Sequence, residues 1–226
     1  MKRTLPLLML TGACLIYAAD KDSDAERLGR SAEVFQEVMA APDKGIPQEL
    51  LDKSACIVVV PGVKKAAFVI GGKFGRGFFS CRAQGGAGWG APGAVRVEGG
   101  SVGFQIGASE TDVIMLVMNQ RGADRLLSSK FTLGADASVA AGPVGRSATA
   151  ETDAYLTAEI LTYSRSRGLF AGLSLSGATL RQDLDTNSAL YGRTLQNKEI
   201  VQTGIAPPAA AKDFLAILNK YSSRKG

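Results

Sequence analysis

Between Lys130 and Val139 nearly every second residue is apolar and most residues are small. Phe131, Leu133, Ala135, Ala137 and Val139 fall on one side of an extended chain, and Thr132, Gly134, Asp136 and Ser138 on the other. A period of two is that of a strand with one buried face, and side chains this small let a second layer approach closely. Gly142-Pro143 predicts the turn that ends the segment. The stretch 130–146 therefore reads as a core strand of a Gly-rich β domain.

The flanks supply helices. Leu28, Ala32, Phe35 and Val38-Met39 recur at helical spacing within 20–41, and Pro42 stops them. Ile46-Pro47 opens a second short helix through Leu50-Leu51. From Cys56 the period changes to two. Runs at 56–60, 66–70 and 77–82, separated by 61–65 and 71–76, predict a meander of short strands. Further strands are expected at 93–98, 102–107, 113–118, 153–163, 169–175 and 178–180, with helical turns in 119–129. Residues 184–191 predict a helix that Asp185, Thr186 or Asn187 can cap, and 193–205 commit to nothing. Pro207-Pro208 open a last helix, reaching to 222, with Phe214, Ile217, Leu218 and Tyr221 on one face. The sum is an α+β fold: a mainly antiparallel sheet, curled or sandwiched, with flanking N- and C-terminal helices.

A chain of 226 residues, 46% of them hydrophobic, builds one sizeable core, so 20–226 reads as a single domain. Residues 1–19 read as an export signal: Lys2-Arg3, then an apolar run too short to span a bilayer. Thr11-Gly-Ala-Cys14 resembles a lipoprotein box in which Cys14 would be acylated, and a cut after Ala18 or Ala19 is the alternative. Two charges of the formal +5 leave with such a signal, and no basic run with interleaved aromatics exists, which argues against nucleic acid as a partner.

Histidine is absent from the whole chain, which excludes Ser-His-Asp and Cys-His machinery and histidine-ligated metal. Gly88-Trp-Gly90-Ala-Pro-Gly93 matches a dinucleotide fingerprint, but Pro92 and an extended run follow where a helix is needed. Gly99-Gly-Ser101-Val-Gly103 matches a nucleophile elbow without a base to serve it. Asp112, Asp136, Glu151, Asp153 and Glu159 show no spacing that pairs two carboxylates. No enzyme, cofactor or metal site is expected. Trp89 is either a core plug or an amphipathic ring at a binding surface.

Five further stretches carry a resemblance. They are Gly45-Ile-Pro-Gln-Glu-Leu-Leu51; Val60-Pro61 with Lys65-Ala-Ala-Phe-Val-Ile-Gly-Gly72; Trp89-Gly-Ala-Pro92; Gly100-Ser-Val-Gly-Phe-Gln-Ile-Gly107; and Tyr163-Ser-Arg-Ser-Arg-Gly-Leu-Phe-Ala-Gly172, running on to Asn187 and Tyr191-Gly192. With 130–146 they resemble the SYLF-domain family over about residues 30–205. Its members are lipid-binding proteins, and its yeast members also bind and bundle actin. The resemblance implies a non-enzymatic lipid- or membrane-associated domain. With the export signal, it implies a bacterial-type envelope protein, periplasmic or anchored, where actin is no available partner. An envelope protein-interaction module is the alternative, and a hydrolase using Ser101 a distant third.

Cations in the predicted turns are the candidate contacts, because Lys and Arg suit phosphate groups. In a meander Lys64, Lys65 and Arg82 share one edge and form the expected lipid-headgroup site. Lys73 and Arg76 lie at the opposite edge, roughly 17 Å away for a five-residue strand, and form the alternative. The N-terminal helix departs from the basic pattern expected of a lipid-facing helix, holding six acids against Lys21, Arg27 and Arg30 within 20–40. The same meander puts a strand between Cys56 and Cys81, roughly 9–10 Å apart, which predicts two free buried thiols.

Overall fold

A computed structural model describes residues 23–223, apart from 42–44, 68–69, 84, 86, 103–106, 146–156, 167–168 and 173–174. At 66–67, 70–71, 101–102, 107–108 and 170 it describes the backbone alone. The export signal and Cys14 lie outside these residues, as do Glu151 and Asp153.

Helix α1 (Asp24–Ala40) starts where the sequence is equipped to start one. Ser23 Oγ accepts from Glu26 N–H, and the Glu26 carboxylate accepts from Ser23 N–H at 2.8 Å. Helix α2 (Gln48–Lys53) follows Pro47. Two long strands come next, β1 (Cys56–Ala67) and β2 (Ile70–Cys81), then β3 (Gly93–Val102) and β4 (Gly107–Val117). Helix α3 (Gln120–Leu126) leads to the short strands β5 (Lys130–Thr132) and β6 (Val139–Ala141). Strands β7 (Ile160–Ser166), β8 (Leu169–Gly172) and β9 (Thr179–Gln182) complete the sheet. Helices α4 (Leu184–Tyr191), α5 (Asn197–Gln202) and α6 (Lys212–Tyr221) close the chain.

Along the sheet the order is β5-β9-β3-β2-β1-β4-β7-β6, with β8 beside β7; only the β6–β7 pair is parallel among the described strands. Strands β5 and β6 stand at opposite ends of that order yet follow one another in sequence. Residues 133–138 join them through a tight turn in which Gly134 N–H donates to Ala137 C=O at 2.7 Å. The sheet must therefore curl until its edges meet. The expected curled α+β sheet with terminal helices is what forms.

The stretch 130–146 is nevertheless not one strand. Gly134 has φ +82°, and the Asp136 carboxylate reaches back to Thr132 N–H at 2.7 Å, so the turn comes early. Phe131, Leu133 and Ala137 are buried as expected, whereas Ala135 is exposed on the turn.

The three-run meander is also corrected. The supposed turn at 61–65 is a bulge inside β1, where Gly62 N–H leaves the ladder and donates to Asp112 Oδ1 at 2.9 Å. The glycines of 71–76 belong to β2. At Gly77 a Cβ would stand 2.2 Å from Val59 C=O, so glycine here permits close strand approach instead of turning the chain. The first and third runs are thus direct partners. Cys56 and Cys81 face each other in register with Cα atoms 3.9 Å apart and form a disulfide, where free thiols were expected.

Each face of the sheet has its own core. Leu28, Phe35 and Val38 of α1, with Phe214 and Leu218 of α6, cover Ile57, Val59, Phe78, Ile114 and Leu116 on the outside. Inside, Val58, Val60, Phe79, Val97 and Met115 meet Leu133 and Leu180 from the far edge. At roughly 25 cal/mol per Å² of apolar surface, burial on both faces is the main stabilising term.

Candidate functional site

The inner face changes character toward one end of the curl. On β1, Val58, Val60 and Val63 give way to Lys65; on β4, Val113 gives way to Thr111 and Ser109; on β7, Thr162 is followed by Ser164 and Ser166. Strand β2 adds Lys73, the register partner of Lys65. These side chains line a cavity of about 210 Å³, floored by Val63, Val113 and Leu175. Two half-buried lysines and four hydroxyl groups thus surround an apolar floor at the mouth of the sheet.

The expected grouping of cations is redrawn. Lys65 and Lys73 were assigned to opposite edges, but they are neighbours because β1 and β2 are long and directly paired. Lys64 pairs with Phe74 on the outer face and is exposed. Arg82 lies at the other end of β2, nine residues from Lys73 and roughly 30 Å away along an extended strand. Its guanidinium donates to Leu51 C=O (2.9 Å), Ser54 C=O (3.2 Å), Ser222 C=O and Ser222 Oγ (2.6 Å) and stacks 3.9 Å over the Trp89 ring. It cannot join Lys64 and Lys65 in one site.

Arg76 is likewise structural. Its Nε donates to Asp183 Oδ2 at 2.7 Å and its terminal nitrogen to Thr186 Oγ1 at 2.9 Å, while Thr186 Oγ1 donates to Asp24 of α1 at 3.0 Å. Asp183, not the expected Asp185, Thr186 or Asn187, caps α4 by accepting from Thr186 N–H. Burial alone would raise the Asp183 carboxyl; the Arg76 bond and charge, the Thr186 N–H and the Arg96 charge together hold it below the usual carboxylate range. A depressed folded value contributes stability that is present above the unfolded value of about 3.9 and lost as pH falls through the folded one. Denaturant titrations of wild type and Asp183→Asn from pH 7 to pH 3 should show a lower start and a shallower acid fall for the variant. Parallel curves would contradict the ion pair.

The resemblance motifs converge on a framework. Asn187 Oδ1 accepts from Ala94 N–H at 2.9 Å, and its amide donates to Leu195 C=O and Asn197 Oδ1. Tyr191 O–H donates to Pro92 C=O at 2.6 Å, and Trp89 Nε1 donates to Ser222 C=O at 3.0 Å. Trp89 is therefore a core plug. Gly93 opens a strand, so the dinucleotide fingerprint lacks its helix, and Ser101 lies within β3.

Sequence reasoning missed Ser109, Thr111, Ser164 and Ser166. The available signal was an apolar period-two face continued by hydroxyl residues at the same alternation, as in Ser109-x-Thr111-x-Val113.

A strongly curled sheet jacketed by terminal helices, with two lysines lining a cavity at one end, defines the α+β domain. The family model described as Ysc84, "Las17-binding protein actin regulator", matches residues 98–221. The chain is 31% identical over 205 residues to SH3 domain-containing YSC84-like protein 1 of Rattus norvegicus, across 89% of this chain and 60% of that protein. It is 34% identical over 185 residues to the Xenopus laevis protein of that name, across 81% and 55%. It is 33% identical over 180 residues to LAS seventeen-binding protein 3 of Saccharomyces cerevisiae, across 78% and 39%. The chain belongs to this Ysc84, or SYLF-domain, family. It spans about 60% or less of the length of these relatives.

Proposed function

We infer that the chain is a non-enzymatic module that attaches to an anionic lipid surface through the mouth of its curled sheet. The observation that carries the reading is that Lys65 and Lys73, register partners on β1 and β2, line one hydroxyl-bearing cavity. Exposed Lys64 adds attraction nearby, since juxtamembrane cations contribute about 1 kcal/mol each at an anionic surface. The N-terminal helix, with acids in its first turn and none of its last-turn residues basic, suits this role poorly. Envelope placement belongs to the same proposal. The start of the chain supports it, as does the Cys56–Cys81 disulfide, a bond that oxidising compartments sustain. Acylation of Cys14 would add an anchor.

The family's description as a Las17-binding protein actin regulator favours a second reading as a protein-interaction module. Liposome co-sedimentation at low salt separates the two. Wild type should sediment with phosphatidylglycerol-containing vesicles, Lys65→Glu/Lys73→Glu should remain in solution, and Lys64→Glu should be intermediate. Equal sedimentation of all three, or of none, would remove the lipid reading and leave protein interaction.

A further inference from the structure

We propose that a row of cations on the outer face of the sheet is a docking surface for an acidic helix of a partner protein. The row follows from strand register. Arg76 on β2 is opposite Arg96 on β3, Arg96 is opposite Arg181 on β9, and Arg181 is opposite Lys130 on β5. Register partners point to the same side of a sheet. That side is the outer one. Phe78 and Ala94, the next same-face positions on β2 and β3, belong to the core under α1 and α6. Val95, Val97, Phe131 and Leu180, which alternate with the cations, fill the inner core. Like charges directly opposite on adjacent strands oppose the pairing of those strands, and here three successive cross-strand pairs are like-charged. The fold thus carries a local conflict that an anionic partner would remove. The row is separate from the inner-face lysines of the lipid-surface reading, and it gives the protein-interaction reading a surface.

The two ends of the row differ. Arg76 is neutralised: Asp183 and Thr186 accept from its guanidinium, and the Asp24 and Asp185 charges lie near it. Arg96 Nε is a buried atom without a hydrogen-bond partner, 4.0 Å from the Asp183 oxygen that Arg76 already engages. Arg181 reaches Glu98 at 3.3 Å, and exposed Lys130 has no ion-pair partner among the described residues. Asp136, on the turn after β5, is taken up by Thr132 N–H. Arg96, Arg181 and Lys130 therefore outnumber the carboxylates within ion-pair reach of them. Their spacing selects the partner. Adjacent strands lie about 4.8 Å apart, and side chains fan outward on the convex face of a curled sheet, so the charged tips repeat at slightly more than that. A helix advances about 5.4 Å per turn, so one lying across the strands brings a carboxylate to each cation in succession. An extended segment repeats its same-face side chains at about 6.6–6.8 Å and matches less well. Two of the three cations are guanidinium groups, whose planar fork takes a carboxylate in a bidentate pair.

Two labelled alanine-based helical peptides of equal composition are the probes. One carries glutamate once per turn along a single face; the other spreads the same glutamates around the helix. By fluorescence anisotropy at low salt, the protein should bind the one-face peptide about tenfold tighter, and Arg96→Gln/Arg181→Gln should abolish that preference. Lys130→Gln should weaken binding several-fold without altering thermal unfolding, since this side chain has no partner to lose. Lys65→Gln/Lys73→Gln should bind as wild type does. Equal affinity for the two peptides, or a preference that survives both row variants, overturns the proposal. Phosphatidylglycerol vesicles form the second arm, in which Arg96→Gln/Arg181→Gln should sediment as wild type does. Vesicle recruitment that depends on the row, with no preference between the peptides, assigns the row to a membrane and also overturns the proposal. A wild type that ignores vesicles yet keeps the peptide preference supports the row and removes the lipid-surface reading.

Discussion

Replacing Arg82 with Met should destabilise the fold by about 2–4 kcal/mol, because four hydrogen bonds from one half-buried charged donor are lost at once. Those acceptors belong to α2, to the residue after it and to Ser222 beyond α6. The side chain therefore ties α2 and the residue after α6 to the end of β2. Trp89, beneath the guanidinium, loses a cation–π contact as well. Denaturant unfolding should show the midpoint fall steeply for Arg82→Met, while exposed Lys64→Met stays within about 0.5 kcal/mol of wild type. An Arg82 variant as stable as the Lys64 variant would mean that the guanidinium is not the clasp described.

The disulfide should matter nearly as much. Cys56 and Cys81 are separated by 25 residues, and closing such a loop is worth about 3 kcal/mol in the chain-entropy account. For a domain of this size that corresponds to a fall in Tm of roughly 6–12 °C in Cys56→Ala/Cys81→Ala. The bond lies at the opposite end of β1 and β2 from Lys65 and Lys73, so vesicle binding by the folded variant should persist. Thermal unfolding with and without reductant is the check. An unchanged Tm in both would show that the register pairing alone holds this end of the sheet.

What could be read beforehand was local. Helix α1 announces itself by Leu28, Phe35 and Val38 at helical spacing, and its Ser23–Glu26 capping box lies within one turn. Helix α6 likewise buries Phe214 and Leu218 from the expected face. Strand pairing depends on distant residues, and there the local signals mislead. Pro61-Gly62 has the composition of a turn, yet the strand passes through it as a bulge because Asp112, fifty residues on, accepts the freed N–H. A turn at 61–65 would separate Lys73 from Lys65 and Cys81 from Cys56; the bulge leaves both pairs in register. Arg76 and Arg82 show a related limit: their charge is visible in the sequence, but the Asp183 carboxylate and the Leu51 and Ser222 carbonyls that engage them are not. The site hydroxyls escaped because serine on a strand carries no strong signal until neighbouring strands align it with lysine.

Hydrogen–deuterium exchange with and without anionic vesicles tests most directly the proposal that the mouth of the sheet, not the N-terminal helix, faces the lipid. Vesicles should slow exchange in the β1, β2, β4 and β7 segments that carry Lys65, Lys73, Ser109, Thr111 and Ser164, and leave α1 unchanged. Slowed exchange confined to Asp24–Ala40, with the lysine-bearing strands unaffected, would contradict it.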